Sequence, residues 1–300
     1  MIKGADIFVD GASSVAQNYK VPKMLIGLTI VAFGTSAPEF AVSIKSMISG
    51  NGEIVLGNVI GSNILNILLI LGIASTVHNL TVKENTVRKE IPFMILFTAS
   101  LVVLMGDSFF SDTPSMLTRG DGFIILLIFL IFIYYLFTIM SSKQNKDISQ
   151  PKFSIKKSFL YTIIGIVAIV LGSDFVVNSA SEIAKILGIS ERIIALTIVA
   201  LGTSLPELVT SVIATKKGEY DIAIGNVVGS NIFNIGIVLG LPIAIFGSIT
   251  IGTFNVLDLV VMLLSVILLY AFSRKKQEID KIKGIIFLII FVVYYTIVII

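Results

Sequence analysis

Two copies of one short string carry the clearest chemistry in the chain. Gly34-Thr35-Ser36-Ala37-Pro38-Glu39 and Gly202-Thr203-Ser204-Leu205-Pro206-Glu207 each crowd a carboxylate, two hydroxyls, a proline and a glycine together, with apolar sequence on both sides. An ionised carboxylate in hydrocarbon costs several kcal/mol, about 2.5–3.5 on insertion scales. Two such groups at matched positions are hard to explain as packing, whereas one cation held between Glu39 and Glu207 neutralises both. Proline adds a second device. It has no N–H and clashes with the preceding turn, so Pro38 frees the carbonyl of Gly34 and Pro206 that of Gly202. The neighbouring carbonyls of Ala32, Thr35, Ala200 and Thr203 are then candidates to tilt outward. Freed carbonyls are hard oxygen ligands suited to Ca²⁺ or Na⁺. Thr35 and Glu39 are four residues apart, as are Thr203 and Glu207, so each pair shares a helical face. Together these features predict a broken, ion-binding helix in each copy.

A second repeated motif supplies more oxygen. Gly57-Asn58-Val59-Ile60-Gly61-Ser62-Asn63-Ile64-Leu65-Asn66 returns as Gly225-Asn226-Val227-Val228-Gly229-Ser230-Asn231-Ile232-Phe233-Asn234. Its glycines allow close helix approach, and stripes of this composition are also ordinary packing seams in membranes. The four-residue spacing puts Ser62 with Asn66, and Ser230 with Asn234, on one face. Facing two glutamates, they complete an all-oxygen cage. There is no cysteine, and the single histidine, His78, reads as an ordinary residue of a polar connector. Oxygen-only ligation fits Ca²⁺, and Na⁺ by the same logic, and disfavours Zn²⁺ and Cu. Mg²⁺ keeps its waters, which a dry cage penalises.

The elements that must position these residues are membrane helices. The chain has 300 residues, 55% hydrophobic and only 14% charged, against about 25% charged in soluble domains, and its mean hydropathy is +0.99. Long apolar runs with short polar breaks imply helices that close their own backbone hydrogen bonds in lipid. The alternating ten-residue segments of a membrane barrel are absent. Both motifs recur at an offset of 168 residues, and so does Gly4–Ser13 as Gly172–Ser181. Spans are expected at about 21–47, 54–74, 91–104, 122–140, 158–187, 192–214, 221–246, 256–272 and 284–300. Residues 1–18 are too short and polar to span alone. They match the end of the span at 158–187, so the chain is read as starting inside its first helix. Asp6 and Asp174, at matched places there, are expected to be solvated near helix ends.

This predicts an all-α integral membrane protein of ten transmembrane helices in two five-helix repeats, residues 1–140 and 158–300, joined by a lysine-rich linker at 141–157. Five is odd, so the halves are inverted, the plan of many secondary transporters. With the N-terminus outside, Lys3, Lys45, Arg119, Lys185, Arg192, Lys216 and Lys217 fall outside and the other 15 of the 22 basic residues inside. The positive-inside rule then favours both termini outside and a cytoplasmic linker in a multi-pass cell-membrane protein. The net charge of +3 calls for no nucleic acid, and apart from the bilayer no obligate protein partner is implied.

The paired Gly-Thr-Ser-x-Pro-Glu and Gly-Asn-Val-x-Gly-Ser-Asn-x-x-Asn strings resemble the two α-repeats of sodium/calcium exchangers, within the calcium/cation antiporter superfamily. The likeness covers nearly the whole chain. It implies alternating access around a central Ca²⁺/Na⁺ site and no organic cofactor. By resemblance, Glu39 and Glu207 are the shared carboxylate ligands, and the carbonyls of Ala32, Thr35, Ala200 and Thr203 with the side chains of Ser62 and Ser230 line flanking Na⁺ sites. Ser36, Ser204, Asn66 and Asn234 lie near the centre. Some relatives carry aspartate at one of the positions of Asn66 and Asn234. Asparagine at both leaves two central carboxylates and argues against K⁺ dependence. The resemblance also implies that the helices carrying Gly4–Ser13 and Gly172–Ser181 slide across the site. A Ca²⁺/H⁺ antiporter is the alternative, since two glutamates can carry protons. A cation channel and an intramembrane hydrolase are weaker alternatives, and the expected protein is a transporter, not an enzyme.

Overall fold

The computed structural model describes residues 1–106, 115–141, 150–188, 200–251 and 256–299. The described elements are helical apart from four two-residue strands. In order they are α1 (Ile2–Tyr19), α2 (Lys23–Thr35), α3 (Ala37–Ile48), α4 (Gly52–Val77), α5 (Ile91–Leu104), α6 (Arg119–Ser141), α7 (Ile155–Ile186), α8 (Ala200–Thr203), α9 (Leu205–Lys216), α10 (Tyr220–Phe246), α11 (Val256–Arg274) and α12 (Lys281–Ile299). Among the described residues, α4, α6, α7, α10, α11 and α12 are long and apolar enough to cross a membrane, and α2 with α3 adds a seventh as a bent pair. The remaining expected spans fall short of that measure for visible reasons. α1 carries Lys3, Asp6 and Asp10, the turn that runs directly into α5 carries Arg88, Lys89 and Glu90, and the start of the span expected at 192–214 lies outside the described residues. So do residues 142–149 of the linker and residues 107–114.

Burial separates a centre from a periphery. The apolar windows of α4 and α10 are 72% and 78% buried, against 22% for α6, α7 and α12. Leu127, Leu130, Ile131 and Tyr134 of α6 are exposed, as suits a lipid-facing wall. The two helices carrying the Gly-Asn-Val motif are therefore the core, and the rest are packed around them.

Glycine sets the close crossings. A Cβ on Gly225 of α10 would lie 3.0 Å from the Cα of Gly27 on α2, so these backbones touch. A Cβ on Gly165 of α7 would lie 2.7 Å from the Cα and N of Phe8, and one on Gly11 would lie 2.7 Å from the N of Thr162. Small residues thus let α1 and α7 lie directly against each other.

Two turns repeat at the 168-residue offset. Gly50 ends α3 at φ 74° and Gly218 ends α9 at φ 73°, left-handed conformations that glycine adopts without steric cost. Two strand pairs staple the ends of the molecule. β1 (Leu80–Thr81) pairs antiparallel with β4 (Glu278–Ile279), and β2 (Met116–Leu117) with β3 (Ile249–Thr250).

The structure corrects two expectations about charge. Lys217 was expected on the opposite side from Lys23 and Lys152. Instead its ammonium lies 2.7 Å from Asp10, which Lys152 holds from its other oxygen at 2.6 Å. Lys23 pairs next door with Glu219 at 2.7 Å. The chain between α9 and α10 therefore sits at the same end as the start of α2, because α9 runs back toward it. Lys216 and Lys217 join the basic end and increase the charge asymmetry. Asp6 is also not simply solvated, since Lys217 pairs with it at 2.7 Å; Asp174 is exposed. His78, as expected, is an exposed connector residue, and its Nδ1 meets the Tyr220 hydroxyl at 3.0 Å.

Candidate functional site

Each Gly-Thr-Ser-x-Pro-Glu string breaks its helix at the serine. Ser36 has φ −83° and ψ 7°, and Ser204 has φ −89° and ψ 4°, outside helical geometry in both cases. Proline at the second position of the following helix explains the break. The chain bends by 47° between α2 and α3. Each break leaves a helix C-terminus and a helix N-terminus meeting in the interior. Glu39 and Glu207 lie in the first turns of α3 and α9, where the positive end of the helix dipole favours a carboxylate. Ala32 and Thr35 lie in the last turn of α2, and Ala200 and Thr203 bound the single turn of α8 that precedes the second break; carbonyls at helix C-termini favour a cation.

Tertiary packing brings the two strings together. Glu39 and Glu207 are both 1% exposed, and their charges lie within electrostatic reach of each other. Ser36 Oγ donates to Glu207 Oε1 at 2.9 Å, and Ser204 Oγ donates to Glu39 Oε1 at 3.2 Å. Each string therefore holds the other's glutamate. Ser230 Oγ reaches Glu207 Oε1 at 3.4 Å, and Ser204 Oγ lies 3.2 Å from Ser62 Oγ. Asn66 and Asn234 are fully buried on α4 and α10, one turn beyond Ser62 and Ser230. The second carboxylate oxygens of Glu39 and Glu207, and the amide oxygens of Asn66 and Asn234, have no hydrogen-bond donor among the described residues. Four buried acceptors thus lack donors, two of them on carboxylates, and each is an oxygen of the kind a hard cation takes as ligand.

The carbonyls behave less uniformly than expected. Ala32 O accepts the Ser36 N–H at 3.0 Å and lies 3.3 Å from the Thr35 hydroxyl oxygen. Gly202 O, freed by Pro206, accepts from Ser173 Oγ of α7 at 2.8 Å. The matched place in α1 is Ala5, which has no hydroxyl to offer Gly34. The Thr35 side chain is a buttress, donating to Asn226 Oδ1 at 2.9 Å. Thr203 is half-buried, and only the backbone of Ala200 is described.

Several contributors were not singled out from the sequence. Asn58 Nδ2 donates to Glu39 O at 3.1 Å, and Asn226 Nδ2 to Glu207 O at 3.3 Å, so each glutamate's backbone is pinned by the adjacent helix. Asn63 and Asn231 bond to each other's helices at the centre. All four lie inside the repeated motif, and their offset of 168 residues was the available signal. Ser173 lies inside the matched Gly172–Ser181 stretch. Among the described residues, no cluster of three or more His, Cys, Asp or Glu side chains forms, so neutral oxygens must supply the rest of any cation shell.

Comparison with known proteins gives one consistent answer. The sodium/calcium exchanger protein family profile matches residues 1–138 and 157–300. The chain is 36% identical to a putative antiporter, CaxA, of Alkalimonas amylolytica, over 98% of this chain and 93% of that one. It is 30% identical to the sodium/calcium exchanger MaX1 of Methanosarcina acetivorans, over 99% and 95%. A solved structure of the sodium-calcium exchanger NCX_Mj, soaked in Na⁺ without Ca²⁺, superposes with a TM-score of 0.83 at 31% identity, covering 97% of this chain and 92% of that one. With the matched strings meeting as described, the chain belongs to the sodium/calcium exchanger family.

Proposed function

We propose that this protein is a secondary active antiporter that exchanges Ca²⁺ for Na⁺ by alternating access. One observation carries the proposal. Glu39 and Glu207 are buried, come from matched strings, and are each held by the other string's serine, with their second oxygens free of donors. A buried carboxylate pair is costly unless a counter-charge is present. Ca²⁺ brings two positive charges to two negative ones. Na⁺ ions arriving together do the same, so the two cargoes compete for one site.

Glu39 and Glu207 are the shared ligands in this reading. The carbonyls of Ala32, Thr35, Ala200 and Thr203 and the hydroxyls of Ser62 and Ser230 serve flanking Na⁺ positions, with Asn66 and Asn234 contributing amide oxygens. Ser36 and Ser204 orient the carboxylates. Without cargo, two unpaired carboxylates would face a low-dielectric interior. The unloaded protein therefore resists switching sides, which couples the fluxes and suppresses leak. The ten-helix inverted repeat, with both termini outside and the linker in the cytoplasm, is part of the same proposal. It is supported by the recurrence of strings, turns and hydrogen bonds at one offset and by the lysines gathered at one end.

Reconstituted protein tests this directly. Vesicles loaded with Na⁺ and diluted into Na⁺-free medium at fixed pH, with protonophore, should accumulate radiolabelled Ca²⁺. Uptake that ignores Na⁺ and follows a pH gradient would assign protons as the counter-ion. Large single-channel currents would replace the antiporter with a pore.

A further inference from the structure

At the crossing of α4 and α10, four asparagines, all 0% exposed, form a closed and reciprocal set of bonds. Asn63 Nδ2 donates to Asn231 O at 3.4 Å, and Asn231 Nδ2 donates to Asn63 O at 3.3 Å. Asn66 Nδ2 donates to Asn231 Oδ1 at 2.8 Å, and Asn234 Nδ2 donates to Asn63 Oδ1 at 3.1 Å. The amide oxygens of Asn66 and Asn234 are the ends left without donors.

We propose that Asn63 and Asn231 are positioning residues that decide which end of the Asn66 and Asn234 amides faces the ion site. The inference rests on the reading of that site as a cation site. A primary amide presents oxygen at one end and two N–H donors at the other. Only the oxygen binds a cation; the reversed amide would oppose one. Nothing in an asparagine itself selects between the two. Here the selection comes from the backbone. The carbonyl of Asn63 accepts only, so it takes the N–H₂ end of Asn231. That leaves Asn231 Oδ1 to accept from Asn66, which must spend its N–H₂ there and turn its oxygen away. The same chain of reasoning runs in reverse from the carbonyl of Asn231 through Asn63 to Asn234.

The local backbone agrees with a special role at this point. A π-helical turn begins at Asn66 (Asn66–Leu71) and another at Asn234 (Asn234–Leu239). Such bulges shift helical register and are frequent at functional sites. The clasp therefore sits where the register of both central helices changes, and it fixes the side chain that opens each bulge.

A simple glue between α4 and α10 predicts a different mutational pattern from an orienting device. Asn231→Ala should raise the Ca²⁺ concentration for half-maximal binding and transport about tenfold, the usual effect of losing a partner that orients a metal ligand. In an Asn66→Asp background both ends of residue 66 are oxygen and orientation no longer matters. There, Asn231→Ala should cause less than a twofold further change in Ca²⁺ affinity, whereas in the wild-type background it should also lower the calcium-free melting temperature. Equal affinity losses in the two backgrounds would overturn the proposal and leave a structural clasp. Should Asn231→Ala fail to fold, Asn63→Ala with Asn234→Asp reads the same relationship from the other half. If neither the wild type nor the Asn66→Asp protein binds Ca²⁺, it is the cation-site reading that fails.

Discussion

Ser36 holds Glu207, Oγ to Oε1 at 2.9 Å, although 171 residues separate them. The reverse contact, Ser204 to Glu39, makes the arrangement mutual. Hydrogen bonds to charged acceptors contribute about 1.5–3 kcal/mol. Ser36→Ala and Ser204→Ala should therefore each raise the Ca²⁺ KM about tenfold or more, in folded protein with the maximal rate less affected. Initial rates of Na⁺-driven uptake across a Ca²⁺ series measure this. An unchanged KM in both variants would mean that the serines do not set the carboxylates.

Glu39→Gln and Glu207→Gln address the ligands themselves. Each should abolish Ca²⁺ flux and remove the Ca²⁺-dependent rise in melting temperature. Each should leave the calcium-free protein at least as stable as the wild type, because one of two mutually repelling buried carboxylates is gone. Size-exclusion profiles and thermal melts with and without Ca²⁺ separate these effects from misfolding. Wild-type exchange rates in either variant would remove the site assignment.

The contact between α1 and α7 is a backbone contact at Gly165. A methyl there would sit 2.6 Å from Phe8 Cβ and 2.7 Å from Phe8 N and Cα. Gly165→Ala should thus force the helices apart and cost about 1–3 kcal/mol, the range for overpacking. The melting temperature in detergent should fall by several degrees. If it does not move, α1 does not lie against α7 at this point.

Lys217 joins Asp6 and Asp10 of α1 to the end of α9, and Lys152 joins Asp10 to the linker. The hydrogen bond and charge of Asp10 hold the Lys152 ammonium above the usual lysine range, so its charge persists through neutral pH. Partly exposed pairs of this kind contribute up to about 1 kcal/mol and are screened by salt. Lys217→Met should loosen α1, seen as faster hydrogen exchange across Ile2–Tyr19, with the difference from wild type shrinking at high ionic strength. Identical exchange at low salt would show that the cluster does not tether the helix.

Membrane character, apolar spans at about 91–104 and 256–272, and a broken helix in each Gly-Thr-Ser-x-Pro-Glu string were all legible without a structure. They depend on local quantities: the length of apolar runs, the missing N–H of proline and the identity of neighbouring residues. The 168-residue repeat also marked Glu39 and Glu207 as a pair, since a buried carboxylate is expensive wherever it lies in lipid. What tertiary structure alone decided was who holds whom. The serine of one string serves the glutamate of the other, Ser173 takes the Gly202 carbonyl that proline freed, and Asn63 and Asn231 turn the amides of Asn66 and Asn234. Charge and hydropathy are properties of each residue, whereas a hydrogen bond between positions far apart in the chain depends on how helices cross, and glycine contacts such as Gly27 on Gly225 let those helices cross with their backbones touching.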